Sequence, residues 1–295
     1  MCASTHELSH RERPIGVFDS GVGGLTVLHE LLVRLPAEDF LYLGDTARFP
    51  YGQRSGAELC EFSLANAQIL AERGAKLLVV ACNSATAAAL PTLRAHLRER
   101  HDPIEVVGVV SPEARTAVQC TRNGRIGLLA TPATVACDAY GDAVRATGEW
   151  LELTSVPCPD LAPLIQAGSP FDETVVETVR GYCSPLLAAA VDTVILGCTH
   201  YGLVAPMLQR MLGRDVTLIS SGGAVARVVE RALAARDLNS PRTREGRYRF
   251  LCTGDAHAFE AVGTRFLQMP LGAVEHLDLA TVVGAADVWT EGALR

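Results

Sequence analysis

Short apolar runs alternate with longer stretches in which apolar residues recur every three or four positions. Ile15-Gly16-Val17-Phe18 is the first run, closed by the turn Asp19-Ser20-Gly21-Val22-Gly23-Gly24. Leu25, Leu28, Leu31, Leu32 and Leu35 follow at helical spacing, and Pro36 stops the pattern. Phe40 to Leu43 is the next strand, leading into Gly44-Asp45-Thr46-Ala47-Arg48-Phe49-Pro50-Tyr51-Gly52. Ser55 is placed to cap a helix that runs toward Gly74. Leu77 to Ala81 is a buried strand, and Cys82-Asn83-Ser84 opens an alanine-rich helix. Strands alternating with helices in this way predict an α/β fold with a mainly parallel sheet.

The pattern then restarts. Ile126-Gly127-Leu128-Leu129-Ala130-Thr131 echoes Ile15 to Ser20, and Val194-Ile195-Leu196-Gly197-Cys198-Thr199 echoes Leu78 to Asn83. The spacing from Asp19 to Cys82 nearly equals that from Thr131 to Cys198. An echo of such long period predicts two related α/β lobes rather than a solenoid. Facing each other, the lobes would bring both cysteines to one cleft. Val216 to Ile219 is a further strand, residues 239–246 are a polar loop, and Arg247 to Thr253 is a late strand. The polar residues 1–13 are expected to form a flexible leader.

Composition narrows the class. With 48% hydrophobic and 20% charged residues, a chain of 295 residues can bury a proper core. The net charge of −7 argues against a broad basic surface for nucleic acid. The longest apolar runs are strand-length, which predicts no membrane span. The N-terminus carries no apolar signal segment, so the cytoplasm is the expected compartment. Nine cysteines without a C-x-x-C pair are expected to be reduced thiols, with no zinc site.

Two of those cysteines differ in setting. Cys82 and Cys198 each end an apolar strand, next to polar donors, at the edge where open α/β sheets bind ligands. A helix N-terminus there favours a thiolate and an anionic ligand. Either thiol alone would read equally well as core packing. Two opposed thiols suit inversion at an α-carbon, which needs a base on one face and an acid on the other. The weakly acidic α-proton then demands dense hydrogen bonding around a carbanion-like transition state. Ser20, Asn83, Ser84, Thr131, Thr134 and Thr199 are available for that. Asp19 and His200 are placed to tune the thiols, with capping or packing as the bland alternative for His200. Asp45 reads equally as a substrate ligand or a turn cap. Tyr51-Gly52 offers a backbone N–H to a carboxylate.

These segments closely resemble the glutamate racemases. The likeness rests on Phe18 to Leu25, Gly44 to Gly52, Ala81-Cys82-Asn83-Ser84 and Gly197-Cys198-Thr199-His200-Tyr201, and it spans Ile15 to about Leu271. It implies two pseudo-symmetric, doubly wound lobes with the active site in the cleft between them. The first lobe would be 14–106 plus 216–295, and the second 107–215. It implies a cofactor-independent enzyme that supplies D-glutamate for peptidoglycan and forms a homodimer. Cys82, Cys198, Asp19 and His200 would be catalytic. Asp19, Ser20, Tyr51, Gly52, Asn83, Ser84, Thr131, Thr134, Thr199 and His200 would touch substrate. Some positions depart from the family pattern: Ser84 for threonine, Gly202 for proline, Ser220 for aspartate, and Gln166 for a glutamate thought to assist one cysteine. A racemase of aspartate or a hydantoin is the nearest rival, and a catalytically retired binding protein is another. A dinucleotide-binding oxidoreductase fails because Thr26 stands where G-x-G-x-x-G needs its third glycine.

Overall fold

Strands that are buried along their whole length need cover on both faces, and parallel sheets flanked by helices provide it. The computed structural model describes residues 9–279 apart from 149 and 169–171. Its strands are β1 (Ile15–Asp19), β2 (Phe40–Gly44), β3 (Leu77–Val80), β4 (Glu105–Gly108), β5 (Arg125–Ala130), β6 (Glu152–Pro157), β7 (Thr193–Gly197), β8 (Thr217–Ile219), β9 (Tyr248–Cys252) and β10 (Val274–His276). β1, β2, β3 and β7 are buried at every position. One sheet has the order β10-β9-β2-β1-β3-β4 and the other β6-β5-β7-β8, with every pairing parallel.

The echo in the sequence is an echo of topology. In each sheet the founding strand, β1 or β5, pairs with the next strand on one side and the one after on the other. The chain therefore reverses its winding beside β1 and β3, and again beside β5 and β7. A crevice opens at such a switch point, at the C-terminal strand ends. Asp19 and Cys82 lie at the first, Thr131 and Cys198 at the second. An apolar cluster holding Ile15, Val17, Leu25 and Leu28 also holds Val194 and Leu196, so the lobes share core.

Capping follows the sequence. Ser55 accepts from the Glu58 N–H and Glu58 answers the Ser55 N–H at 2.9 Å, starting the helix Gly56–Glu72. Gly74 then takes φ +84°, which a side chain would resist.

Two expected boundaries are corrected. β8 pairs with β7, Thr193 opposite Thr217, so this strand belongs to the second lobe and not to the first. β4 continues its ladder with β3 to Gly108, past the expected end at 106. In both places the backbone groups find ladder partners only in that sheet. The lobes are thus joined just before the helix Val110–Cys120 and just before the helix Ser221–Ala235. Residues 9–13 are anchored rather than loose: Arg13 meets Asp102 at 2.6 Å, and Lys76 donates to the Arg11 carbonyl at 2.7 Å. The rest of the expected leader, 1–8, and the end of the expected first lobe, 280–295, lie outside the described residues. Among the described residues, no helix is long and apolar enough to cross a membrane.

Candidate active site

Asp19 ends β1 and is completely buried. It accepts from the Gly21 N–H at 3.0 Å and from Thr199 Oγ1 at 3.4 Å. Burial raises its carboxyl to about 6 against the pull of these donors and of the Gly24 and Ser20 N–H groups. Cys82 follows β3 and is the N-cap of the helix Asn83–Arg98. Burial, and then the Asp19 charge, push its thiol up to about 12, while Ser20 and the Ala85 N–H oppose the shift. The resting Cys82 is therefore a neutral thiol, and a cation bound beside it would ease its ionisation. The glycines after β1 serve close approach: a Cβ on Gly23 would lie 2.3 Å from Thr199 Oγ1 and 2.5 Å from His200 Nδ1.

The second lobe brings Cys198 and His200. His200 is buried between the rings of Phe49 and Phe266, with centroids at 5.6 and 5.2 Å. Burial pushes its pKa down to about 4, so the imidazole is neutral at physiological pH. Nε2 lies 2.9 Å from Gln166 Oε1, an acceptor, which assigns the ring proton to Nε2. Nδ1 is then a free lone pair, and it faces Cys198 Sγ at 3.8 Å. The His200 Nδ1 lone pair is thus the acceptor that faces the Cys198 thiol, whose pKa burial holds well above the ordinary value. Gln166 fixes this tautomer but carries no charge to stabilise an imidazolium.

Hydroxyls line the seam between the lobes. Ser84 Oγ lies 2.8 Å from Thr131 Oγ1 and 3.1 Å from Thr134 Oγ1, and the two threonine hydroxyls lie 3.0 Å apart. Gly52 faces Thr131 so closely that a Cβ would lie 2.6 Å from the threonine Cβ. The Tyr51 phenol turns away to Asp45, leaving backbone at the cleft. Asp45 also accepts from Arg48 at 2.6 Å and Thr253 at 2.8 Å. Its oxygens are engaged by these side chains and by Asn66, so Asp45 ties the 46–53 loop to neighbouring segments, and its side chain caps no backbone N–H.

One small cavity collects most of the expected residues: Ser20, Tyr51, Gly52, Cys82, Asn83, Ser84, Thr131, Cys198, Thr199 and His200. Two stand behind its wall. Asp19 acts on Cys82 through its charge, and Thr134 acts through the hydroxyl triangle. Phe49, Pro50, Gln53 and Gly197 complete the wall, with Pro159 after β6 and Ala162 and Pro163 of the helix Leu161–Gln166. Pro159 and Ala162 went unread although they also follow a strand end. The free space is ≈ 20 Å³, room for about one water, so an amino acid does not fit the cavity in this conformation. Glu113 and Tyr140 were also missed. They are buried and hydrogen-bond Asn83 from behind, with no local sequence signal. Among the described residues, no three or more His, Cys, Asp and Glu side chains are grouped to hold a metal ion.

Residues 37–229 match the Asp/Glu/Hydantoin racemase family. The glutamate racemase of Acidothermus cellulolyticus is 43% identical over 268 residues, covering 90% of this chain and 100% of that protein. The crystal structure of glutamate racemase isoform RacE1 from Bacillus anthracis superposes with a TM-score of 0.86 at 37% identity, covering 92% of this chain and 99% of that one. Glutamate racemase from Francisella tularensis, solved with D-glutamate, gives a TM-score of 0.84 at 30% identity, covering 92% and 99%.

Proposed function

The chain belongs to the Asp/Glu/hydantoin racemase family and, within it, to the glutamate racemases, and from that premise we propose that Cys82 and Cys198 exchange the α-proton of glutamate. The observation that carries this reading is the pair of strand-end thiols on one cleft, one from each lobe. Glutamate binds between them. Its α-carboxylate is met by hydroxyls and backbone N–H groups of the seam, and its ammonium lies toward Asp19 and the Asn83 carbonyl. The ammonium offsets the Asp19 charge that holds the Cys82 thiol up; the Asp19 carboxylate accepts the Cys82 proton when Cys82 acts as base, and His200 accepts the Cys198 proton when Cys198 does. One thiolate removes the α-proton while the opposite thiol donates to the other face. No cofactor enters this scheme. The seam hydroxyls act best on the planar, carbanion-like state, where negative charge spreads onto the carboxylate.

We assign Cys82 to D-glutamate and Cys198 to L-glutamate. Supply of D-glutamate for peptidoglycan, a cytoplasmic location and a homodimer belong to the same proposal and rest on the family likeness. The test follows optical rotation of L-glutamate, and separately of L-aspartate, in reducing buffer without added cofactor. Decay with glutamate in wild type, but not in Cys82→Ala or Cys198→Ala, is expected. No decay with folded protein sinks the reading. In D₂O, Cys82→Ala should lose α-hydrogen exchange on D-glutamate. Exchange at the wild-type rate would reverse the assignment.

A further inference from the structure

Behind Asn83 lies a buried polar cluster that the thiol chemistry does not use. Glu113, on the helix Val110–Cys120, is completely buried and has no cationic partner among the described residues. It accepts from Asn83 Nδ2 at 3.2 Å, from the Tyr140 hydroxyl and from Ser221. Asn83 Nδ2 also donates to Tyr140 Oη at 2.7 Å, so both amide hydrogens point away from the cleft. The other end of that amide, Oδ1, is buried and accepts no hydrogen bond from the described residues, although Asn83 lines the cleft. A buried acceptor without a donor costs folding free energy unless something fills it.

We propose that Glu113, with Tyr140, is a positioning residue that turns the Asn83 amide so that its carbonyl oxygen receives the substrate ammonium. The proposal rests on the racemase reading of this cleft. An asparagine amide offers an acceptor at one end and donors at the other, and these would suit opposite ends of an amino acid. The acceptors behind Asn83 fix the choice. Glu113 also spans the molecule: Asn83 comes from the first lobe and Tyr140 from the second, while Glu113 and Ser221 lie on the two helices that follow the joins. Burial raises its carboxyl to about 7, and the three donors keep it from rising further.

Replacement by glutamine keeps the shape but puts an amide donor in reach of Asn83. The Asn83 amide then flips, turning N–H groups toward the ammonium. KM and kcat for both enantiomers should be measured in wild type, Glu113→Gln, Asn83→Ala and the double variant. Glu113→Gln should raise both KM values about tenfold and leave kcat within about twofold, because the ammonium contact is the same in ground and transition states. In the Asn83→Ala background the same change should alter kcat/KM less than about twofold. Should Glu113→Gln not fold, Tyr140→Phe carries the same comparison alone and with Asn83→Ala. Unchanged KM, or an equal loss with and without Asn83, overturns the proposal. Wild-type turnover of glutamate tests the racemase reading separately.

Discussion

Replacing Asp19 by asparagine should cost activity and return stability, and the return should depend on pH in a definite direction. The folded state holds this carboxyl near 6, and the unfolded chain holds it near 3.8. Above pH 6 the fold must keep a carboxylate that its surroundings disfavour, while the unfolded chain ionises freely. Below 3.8 both states are protonated and the penalty is gone. A gap of about two pKa units, at roughly 1.4 kcal/mol each, makes the penalty about 3 kcal/mol at pH 8. At pH 4 less than about 1 kcal/mol is left, so the two conditions differ by about 2 kcal/mol. The asparagine of the variant never titrates. It does turn an amide toward the N–H groups of Gly21 and Gly24, but that fixed cost cancels when the two pH values are compared. His200 is pushed the other way and destabilises the fold on acidification, yet it is present in both proteins and cancels too. Urea unfolding followed by far-UV circular dichroism, at pH 8 and pH 4, gives four midpoints. The stability of Asp19→Asn relative to wild type should be greater at pH 8 than at pH 4 by about 2 kcal/mol. A relative stability that is the same at both pH values would refute the reasoning, whatever its sign.

Gly52→Ala pushes a methyl group into the Thr131 Cβ, 2.6 Å away, and so holds the lobes apart. Its kcat/KM for glutamate should fall about a hundredfold with an unchanged far-UV spectrum, and wild-type kinetics would show that the seam has slack. Gln166→Glu places a negative charge against His200 Nε2, so the ring pKa should rise clearly above the value near 4 that burial imposes. An NMR titration of the His200 ring reads this directly, and an unmoved midpoint would mean that Gln166 does not meet the ring in solution.

The strands that build the site were legible because burial on both faces leaves apolar runs, and each run ends where the polar residues of the cleft begin. Of the residues read by that rule, Cys82, Cys198 and His200 line the cavity and Asp19 stands behind its wall. β8 was read as a strand but given to the wrong lobe. Three residues carry no mark of which sheet edge they will join, and Thr217 finds its partner in Thr193 only after folding. Thr134 was read as a substrate contact because its hydroxyl follows a strand end, yet one turn of helix sets it behind Ser84 and Thr131. Glu113 was invisible for a different reason. Its partners Asn83, Tyr140 and Ser221 lie far apart in sequence, so only the packing of four segments brings them to it.

The two lobes repeat a topology without repeating its chemistry. Each switch point delivers a thiol, but the founding strand ends in Asp19 in one lobe and leads into Thr131 in the other. His200 follows Cys198 in a place where the first lobe offers Ser84. Cys82 therefore sits against a negative charge, and Cys198 against a neutral base. This asymmetry cannot favour one direction in kcat/KM. The enantiomers have equal free energy in water, so the equilibrium constant is unity and kcat/KM must be the same for both. What unequal helpers can change is how kcat and KM divide within that fixed ratio, and how often a captured proton returns to the carbon it left. A fold with identical lobes would place the two thiols equally well, but a neutral thiol cannot start the reaction. In the proposed mechanism the unlike helpers supply what the repeated strands do not: a base for Cys198 from its own loop, and for Cys82 a carboxylate whose charge the substrate ammonium offsets.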